Sequence, residues 1–136
     1  MRAVLDTNVL LISLPTRSEY RTIFDALLNG KFELAISNEI LSEYVELLER
    51  KANAIIAANI AELLLNYDNV VRTDIFFNWR LITEDVDDNK FVDCAIATSA
   101  DYIVSNDRHF RVLKEIEFPK VKVIGIEEFL QLLANA

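Results

Sequence analysis

Glycine and proline are scarce in this chain, with two of each among 136 residues. So few backbone breakers exclude a collagen-like repeat and argue against disorder or an all-β protein built on many tight turns. Cysteine occurs once, at Cys94. That rules out an internal disulfide and points to a cytosolic (cytoplasmic) home. Histidine also occurs once, at His109, so the usual Cys and His ligands of a zinc site are missing. No apolar run approaches the ~20 residues that cross a bilayer. Residue 6 is an acid and no small-residue cleavage pattern follows, so no signal peptide is expected. Positive charge is short as well: 14 Lys and Arg stand against 22 Asp and Glu, for a net charge of −8. This is the wrong overall sign for a nucleic-acid binder, whose phosphate affinity comes largely from Lys and Arg. Two explanations stay open. Either the partner is not nucleic acid, or the acids gather where a divalent cation reverses the local field.

What is present is apolar material, 52% of the residues, enough for the core of one domain spanning residues 1–136. Residues 2–5 read as a short strand. Thr16 and Glu19 fit a capping box ahead of Ile23, Phe24, Leu27 and Leu28 at helical spacing, with Gly30 as the stop. Leu34-Ala35-Ile36 reads as a second strand. Ser37 or Asn38 can cap a helix whose stripe is Ile40, Leu41, Tyr44, Val45 and Leu48. A further helix is expected from about Ala54 to Leu65. Residues 67–83 offer two strand candidates, Val70-Val71 and Leu81-Ile82, with Phe76, Phe77 and Trp79 between them. The acidic loop 84–88 leads into a helix from Lys90 to Ser99 that is apolar nearly all round. Tyr102-Ile103-Val104 and Val121–Ile124 read as strands, and Ile126–Leu133 as a closing helix. Short apolar strands alternating with helices mark an α/β fold with a parallel sheet covered on both faces.

In such sheets, sites form beyond the carboxyl ends of the strands. Asp6 follows the first strand and Asp107 follows the Tyr102–Val104 strand. Glu43 falls about 60° from Ile40 on the helical wheel, at the border of the apolar face. Asp93 sits among Phe91, Val92, Cys94, Ala95 and Ile96. A lone carboxylate there is costly unless paired or metal-bound. Each residue has a plainer reading. Asp6 fits a turn or cap, Asp107 a cap for a short 108–113 helix, and Asp88 a cap for the helix from Lys90. Glu43 fits a rim residue paired with a lysine, His109 a surface residue, and Cys94 and Trp79 core residues. The conjunction of four acids from separate segments is what outweighs these. Bare, they would repel one another; oxygen-only ligands at an open site suit Mg²⁺ or Mn²⁺.

Three blocks, "VLDTNVLL", "SNEILSEYVELL" and "DDNKFVDCAIATSADYIVSNDRHF", resemble the successive signatures of PIN-domain proteins, closest to the bacterial and archaeal toxins of toxin–antitoxin pairs. The resemblance spans residue 3 to about residue 125. It implies a three-layer α/β/α sandwich around a parallel sheet and a metal-dependent ribonuclease site with Asp6, Glu43, Asp93 and Asp107 as catalytic and metal-binding acids. Thr7, Asn8, Ser105 and Asp88 would support them, Ser105 standing where Thr is commoner. Asp88 is an extra acid beside the third position; Asp93 is preferred as ligand because Asp88 has a capping explanation. The resemblance further implies an RNA substrate, a small cognate antitoxin and a homodimer. Arg17, Arg21, Lys90, Arg108 and Arg111 are the candidate phosphate contacts. A DNA-directed or structure-specific nuclease would share this site. A phosphatase of the haloacid-dehalogenase type would want D-x-D, and Asn8 stands in place of the second Asp. A binding module with vestigial acids would have no reason to keep all four.

Overall fold

The computed structural model describes residues 1–135. Its strands are β1 (Arg2–Leu5), β2 (Glu33–Ser37), β3 (Val70–Thr73), β4 (Tyr102–Val104) and β5 (Val123–Ile124). They form one sheet in the order β3-β2-β1-β4-β5, with every pair parallel. Ala3, Val4, Leu5, Leu34, Ala35, Ile36, Ile103 and Val104 are all fully buried. Both faces of the central strands are therefore covered, which is why their sequences run apolar without alternation.

The helices are α1 (Thr7–Ser13), α2 (Arg21–Leu28), α3 (Asn38–Lys51), α4 (Ala54–Asn66), α5 (Asn89–Ala97) and α6 (Ile126–Ala134). Helix α2 packs on α1 and α6; α3 packs on α1, α4 and α5; α5 lies directly on β1, β2 and β4. None of these helices is long and apolar enough to cross a membrane.

Helix α1 takes up Val9–Ile12 and buries Val9 and Leu10. The structure departs from the sequence expectations at three places. The Thr16/Glu19 capping box is not used: α2 starts at Arg21. Ser18 takes over the turn, donating to Ile12 O at 2.5 Å and accepting from Tyr20 N–H at 3.1 Å. Leu81-Ile82 is not a strand. Buried Asn89 holds that segment instead, accepting from Ile82 N–H and donating to Ile82 O, both at 2.9 Å. Finally, β5 is only two residues long.

Two ends fold as expected. Gly30 carries φ 72°, with Lys31 N–H donating to Ala26 O, a Schellman stop for α2. Ser37 caps α3 by accepting from Ile40 N–H at 3.4 Å.

Candidate active site

Three features of the fold bring acids to one place. Strands β1 and β4 are neighbours in register, Leu5 opposite Val104, so Asp6 and the Ser105–Asp107 turn leave the sheet together at its carboxyl edge. Tyr44, fully buried on α3, donates its hydroxyl to Leu5 O at 2.6 Å. That bond pins the turn of α3 carrying Glu43 against the end of β1. The turn Val86–Asp88 then delivers Asp88 to the same edge as it enters α5.

Ser105 organises the centre. Its hydroxyl donates to Asp6 Oδ2 at 2.7 Å and accepts from Asp107 N–H at 2.9 Å. Thr7, also buried, donates to Glu43 Oε2. Burial raises the Asp6 pKa, the Ser105 hydrogen bond opposes this, and the charges of Asp107 and Glu43 add to the rise. The Asp88 carboxyl is pushed up to about 6, first by burial and then by Asp85, Asp107 and Asp6. Asp6, Asp88 and Asp107 thus feel one another's charge, and Glu43 faces Asp6.

Among the described residues, two buried polar atoms lack a well-formed hydrogen bond: Asp88 Oδ2 and His109 Nδ1. They face each other at 3.4 Å, and His109 Nδ1 stands 3.2 Å from Asp107 Oδ1. Buried polar groups are nearly always satisfied, so such a pair marks a place for an ion or water. One ligand atom each from Asp85, Asp88 and His109 lies within 4.8 Å of the others. The donors around this point are carboxylate oxygens with one imidazole nitrogen, a set that suits a hard divalent cation.

The other expected residues divide. Asp93 is buried but does not join the group: its Oδ1 accepts Trp79 N–H at 3.0 Å, and the charge that reaches it is that of Glu39. Asp88, expected as a helix cap, makes no cap hydrogen bond. Asp107 does cap, accepting from His109 N–H at 2.9 Å. His109 is drawn among the acids rather than standing free on the surface. Asn8 is exposed.

Among the candidate phosphate contacts, Lys90 is buried, with Nζ 2.7 Å from both Glu43 Oε1 and Asp87 Oδ2. Burial disfavours its charge, yet the hydrogen bonds to Asp87 and Glu43 outweigh that and hold its pKa above the ordinary value. Arg21 is occupied by Asp25 at 2.9 Å, by Leu14 O and by the Phe24 ring. Arg108 and Arg111 are exposed and line a cleft with His109 and Glu84. Arg17 is exposed, with no ion pair among the described residues.

A parallel α/β domain with carboxylates converging at the sheet's carboxyl edge, and Ser105 engaged with Asp6 and the Asp107 backbone, defines a class of sites built on charge placement. The chain belongs to the PIN domain family, whose model matches residues 2–109. No curated protein sequence gives a significant match. Solved structures with a similar fold include VapBC2 from Rickettsia felis bound to a DNA fragment from its promoter, at TM-score 0.62 and 19% identity, covering 92% of this chain and 98% of that one. DNA-bound VapBC from Salmonella typhimurium has TM-score 0.61 and 16% identity over 93% of this chain and 98% of that one. The PIN domain endonuclease Utp24 has TM-score 0.53 and 16% identity over 91% and 84%.

Proposed function

We propose that the chain is a metal-dependent ribonuclease, hydrolysing RNA phosphodiester bonds at the Asp6–Asp88–Asp107 centre. The observation that carries this reading is the buried pair Asp88 Oδ2 and His109 Nδ1, which lacks a well-formed hydrogen bond among the described residues and is set among like-charged carboxylates. Asp6, Asp88 and Asp107 would hold one or two Mg²⁺ or Mn²⁺ ions, with Glu43 a direct or water-mediated ligand. When bound, the ion supplies positive charge for the scissile phosphate and lowers the pKa of the attacking water. The chain supplies position. Ser105 fixes Asp6 relative to the Asp107 backbone, and Thr7 and Lys90 hold the two oxygens of Glu43. Arg108 and Arg111 form a basic rim beside Asp107 that can bind flanking phosphates. Arg21 and Lys90 are consumed within the fold and are not proposed as substrate contacts. The test is cleavage of RNA and DNA with Mg²⁺, Mn²⁺ or EDTA, beside Asp6→Asn. Cleavage that survives EDTA or Asp6→Asn ends the reading, and cleavage of DNA alone changes its substrate.

The fold shared with VapBC structures supports a toxin role, with a small antitoxin protein and a second copy of this chain as partners. Phe76, Phe77 and Phe118 are exposed, and Phe77, Trp79 and Phe118 pack edge to face. This aromatic group is the candidate contact. Trp79→Ala should weaken association in sedimentation, and an unchanged assembly and partner affinity would remove the group from consideration.

A further inference from the structure

Asp93 is buried, yet the acid centre does not use it. It lines a cavity of about 620 Å³ on the other side of Lys90. Its Oδ1 takes Trp79 N–H, and its Oδ2 receives no donor among the described residues. Asn78 and Arg80 line the same cavity, and Ile75, Ile82 and Val86 give it apolar walls. Arg80 makes no ion pair among the described residues and carries φ 57°, a conformation that non-glycine residues rarely adopt and that collects at functional sites. The cavity has the size of a small-molecule pocket. Its lining is mainly polar, with Glu39, Thr83, Asp87, Asn89 and Lys90 beside Asp93, Asn78 and Arg80, and Ile75, Ile82 and Val86 supply the apolar surface. A second cleft, about 510 Å³ and lined by Glu43, meets it at Glu39, Asp87 and Lys90. Glu43, which faces Asp6, and Asp93 thus lie on two clefts that share a border.

We propose that this cavity is a base pocket that takes a guanine next to the scissile phosphate. The inference rests on the ribonuclease reading, and it names the substrate feature that reading leaves open. Guanine is the one RNA base with two adjacent donors, N1–H and N2–H, on one edge and two adjacent acceptors, O6 and N7, on another. A carboxylate with a free oxygen suits the first edge. A guanidinium without a partner suits the second. Ile75, Ile82 and Val86 offer apolar surface for the base to lie against. Adenine offers only a single amino donor, and its N1 acceptor would meet the Asp93 oxygen. A uracil offers a lone N3–H between two carbonyls. A pocket built to hydrogen-bond one edge rejects a base lacking it because the buried polar groups are then left unpaired.

The test separates recognition from cleavage. Labelled pentanucleotide RNAs, UUGUU, UUAUU, UUCUU and UUUUU, are titrated in EDTA and followed by fluorescence anisotropy. The guanine-containing RNA should bind about tenfold tighter or better than the other three. Asp93→Asn keeps an oxygen for Trp79 N–H but puts an NH₂ donor in the pocket, and it should abolish the preference. Should Asp93→Asn fail to fold, exposed Arg80→Asn, a residue type that tolerates positive φ, should reduce the preference instead. Equal affinity for all four RNAs, no measurable binding of any, or a preference unchanged by the folded variants would overturn the pocket. Cleavage-site mapping with Mg²⁺ or Mn²⁺ is then run separately. Absence of cleavage there counts against the ribonuclease reading, while the guanine preference in EDTA stands or falls on its own.

Discussion

Asp88 and Asp93 lie five residues apart on one segment, and both are buried. At about 100° per residue they point some 140° apart around α5. One meets Asp6, Asp107 and His109, and keeps an oxygen without a well-formed hydrogen bond among the described residues. The other meets a backbone N–H that accommodates its burial. Burial raises both carboxyls, but only Asp88 is raised by other carboxylates of the edge. A buried acid is therefore not in itself the mark of a metal site. What it is left facing decides.

The sharpest way to break this contrast is to remove a carboxylate from the acid centre. Asp6→Asn should lower metal-dependent cleavage by about 10³-fold, within the range seen when a preorganised charge is deleted from an active site. Circular dichroism should show the fold intact, because asparagine keeps an oxygen for the Ser105 hydroxyl. The next effect separates the two acids directly. Titrated with Mn²⁺, Asp88→Asn should bind at least about tenfold more weakly than the parent protein, whereas Asp93→Asn should bind alike. Equal losses in both variants would place Asp93 in the metal site after all.

The distinction between these acids lies beyond the sequence, for a reason of geometry. The alternation of strands and helices, the position of Asp6 and Asp107 after two strands, and the inward lean of Glu43 all follow from apolar patterning; that those two strands are neighbours is seen only in the fold. Patterning also marks Asp93 as buried, which it is. It cannot show that loop 74–85 folds back over α5 and offers Trp79 N–H, because that loop has no periodicity and is fastened by side chains outside it, Asn89 and Asp93. Asp88 has a ready cap role in the sequence, and the helix does not use it. Lys90 resembles a phosphate contact because it is basic beside an acidic loop. It is instead the counter-ion of Glu43 and Asp87. The one signal in the sequence is the run Asp87-Asp88-Asn89-Lys90, four polar residues of which Asp88, Asn89 and Lys90 are buried at the carboxyl edge.

The third prediction concerns stability without metal. The Asp88 carboxyl stands at about 6, above its ordinary 3.8, through burial and neighbouring acids. A group raised in the folded state contributes stability that is complete below its unfolded pKa and is lost as pH rises through its folded one. The metal-free protein should therefore lose thermal stability between about pH 4 and 6.5 as Asp88 ionises, Asp6 acting in the same direction. Near pH 7.5, a divalent ion at a hundredfold excess over its Kd should restore about 2.7 kcal/mol. Asp88→Asn should flatten the pH dependence and remove most of the response to metal. A Tm that rises steadily from pH 4 to 7 in EDTA would contradict the raised carboxyls.

The smallest expected effect returns to net charge. A chain at −8 holds RNA best where its free cations face the substrate. Of the five candidate cations, Lys90 and Arg21 are spent on internal partners, which leaves Arg17, Arg108 and Arg111. Arg108 and Arg111 share the turn that begins at Asp107, and both line the cleft holding His109; Arg17 sits in the loop between α1 and α2. Deleting one cation that neutralises a phosphate of single-stranded RNA lowers the salt slope by about 0.7 and weakens binding at low salt only a few-fold, whatever the sequence. Arg108→Ala and Arg111→Ala should each do this, and the double variant should lower the slope by about 1.4 while leaving guanine preference untouched. If Arg17→Ala alone lowers the slope, the RNA enters from the α1 side and the two arginines beside Asp107 are solvent-facing. Measured as log K against log salt, the two outcomes differ in which variant moves, so the direction of substrate entry can be read even though each single effect is small.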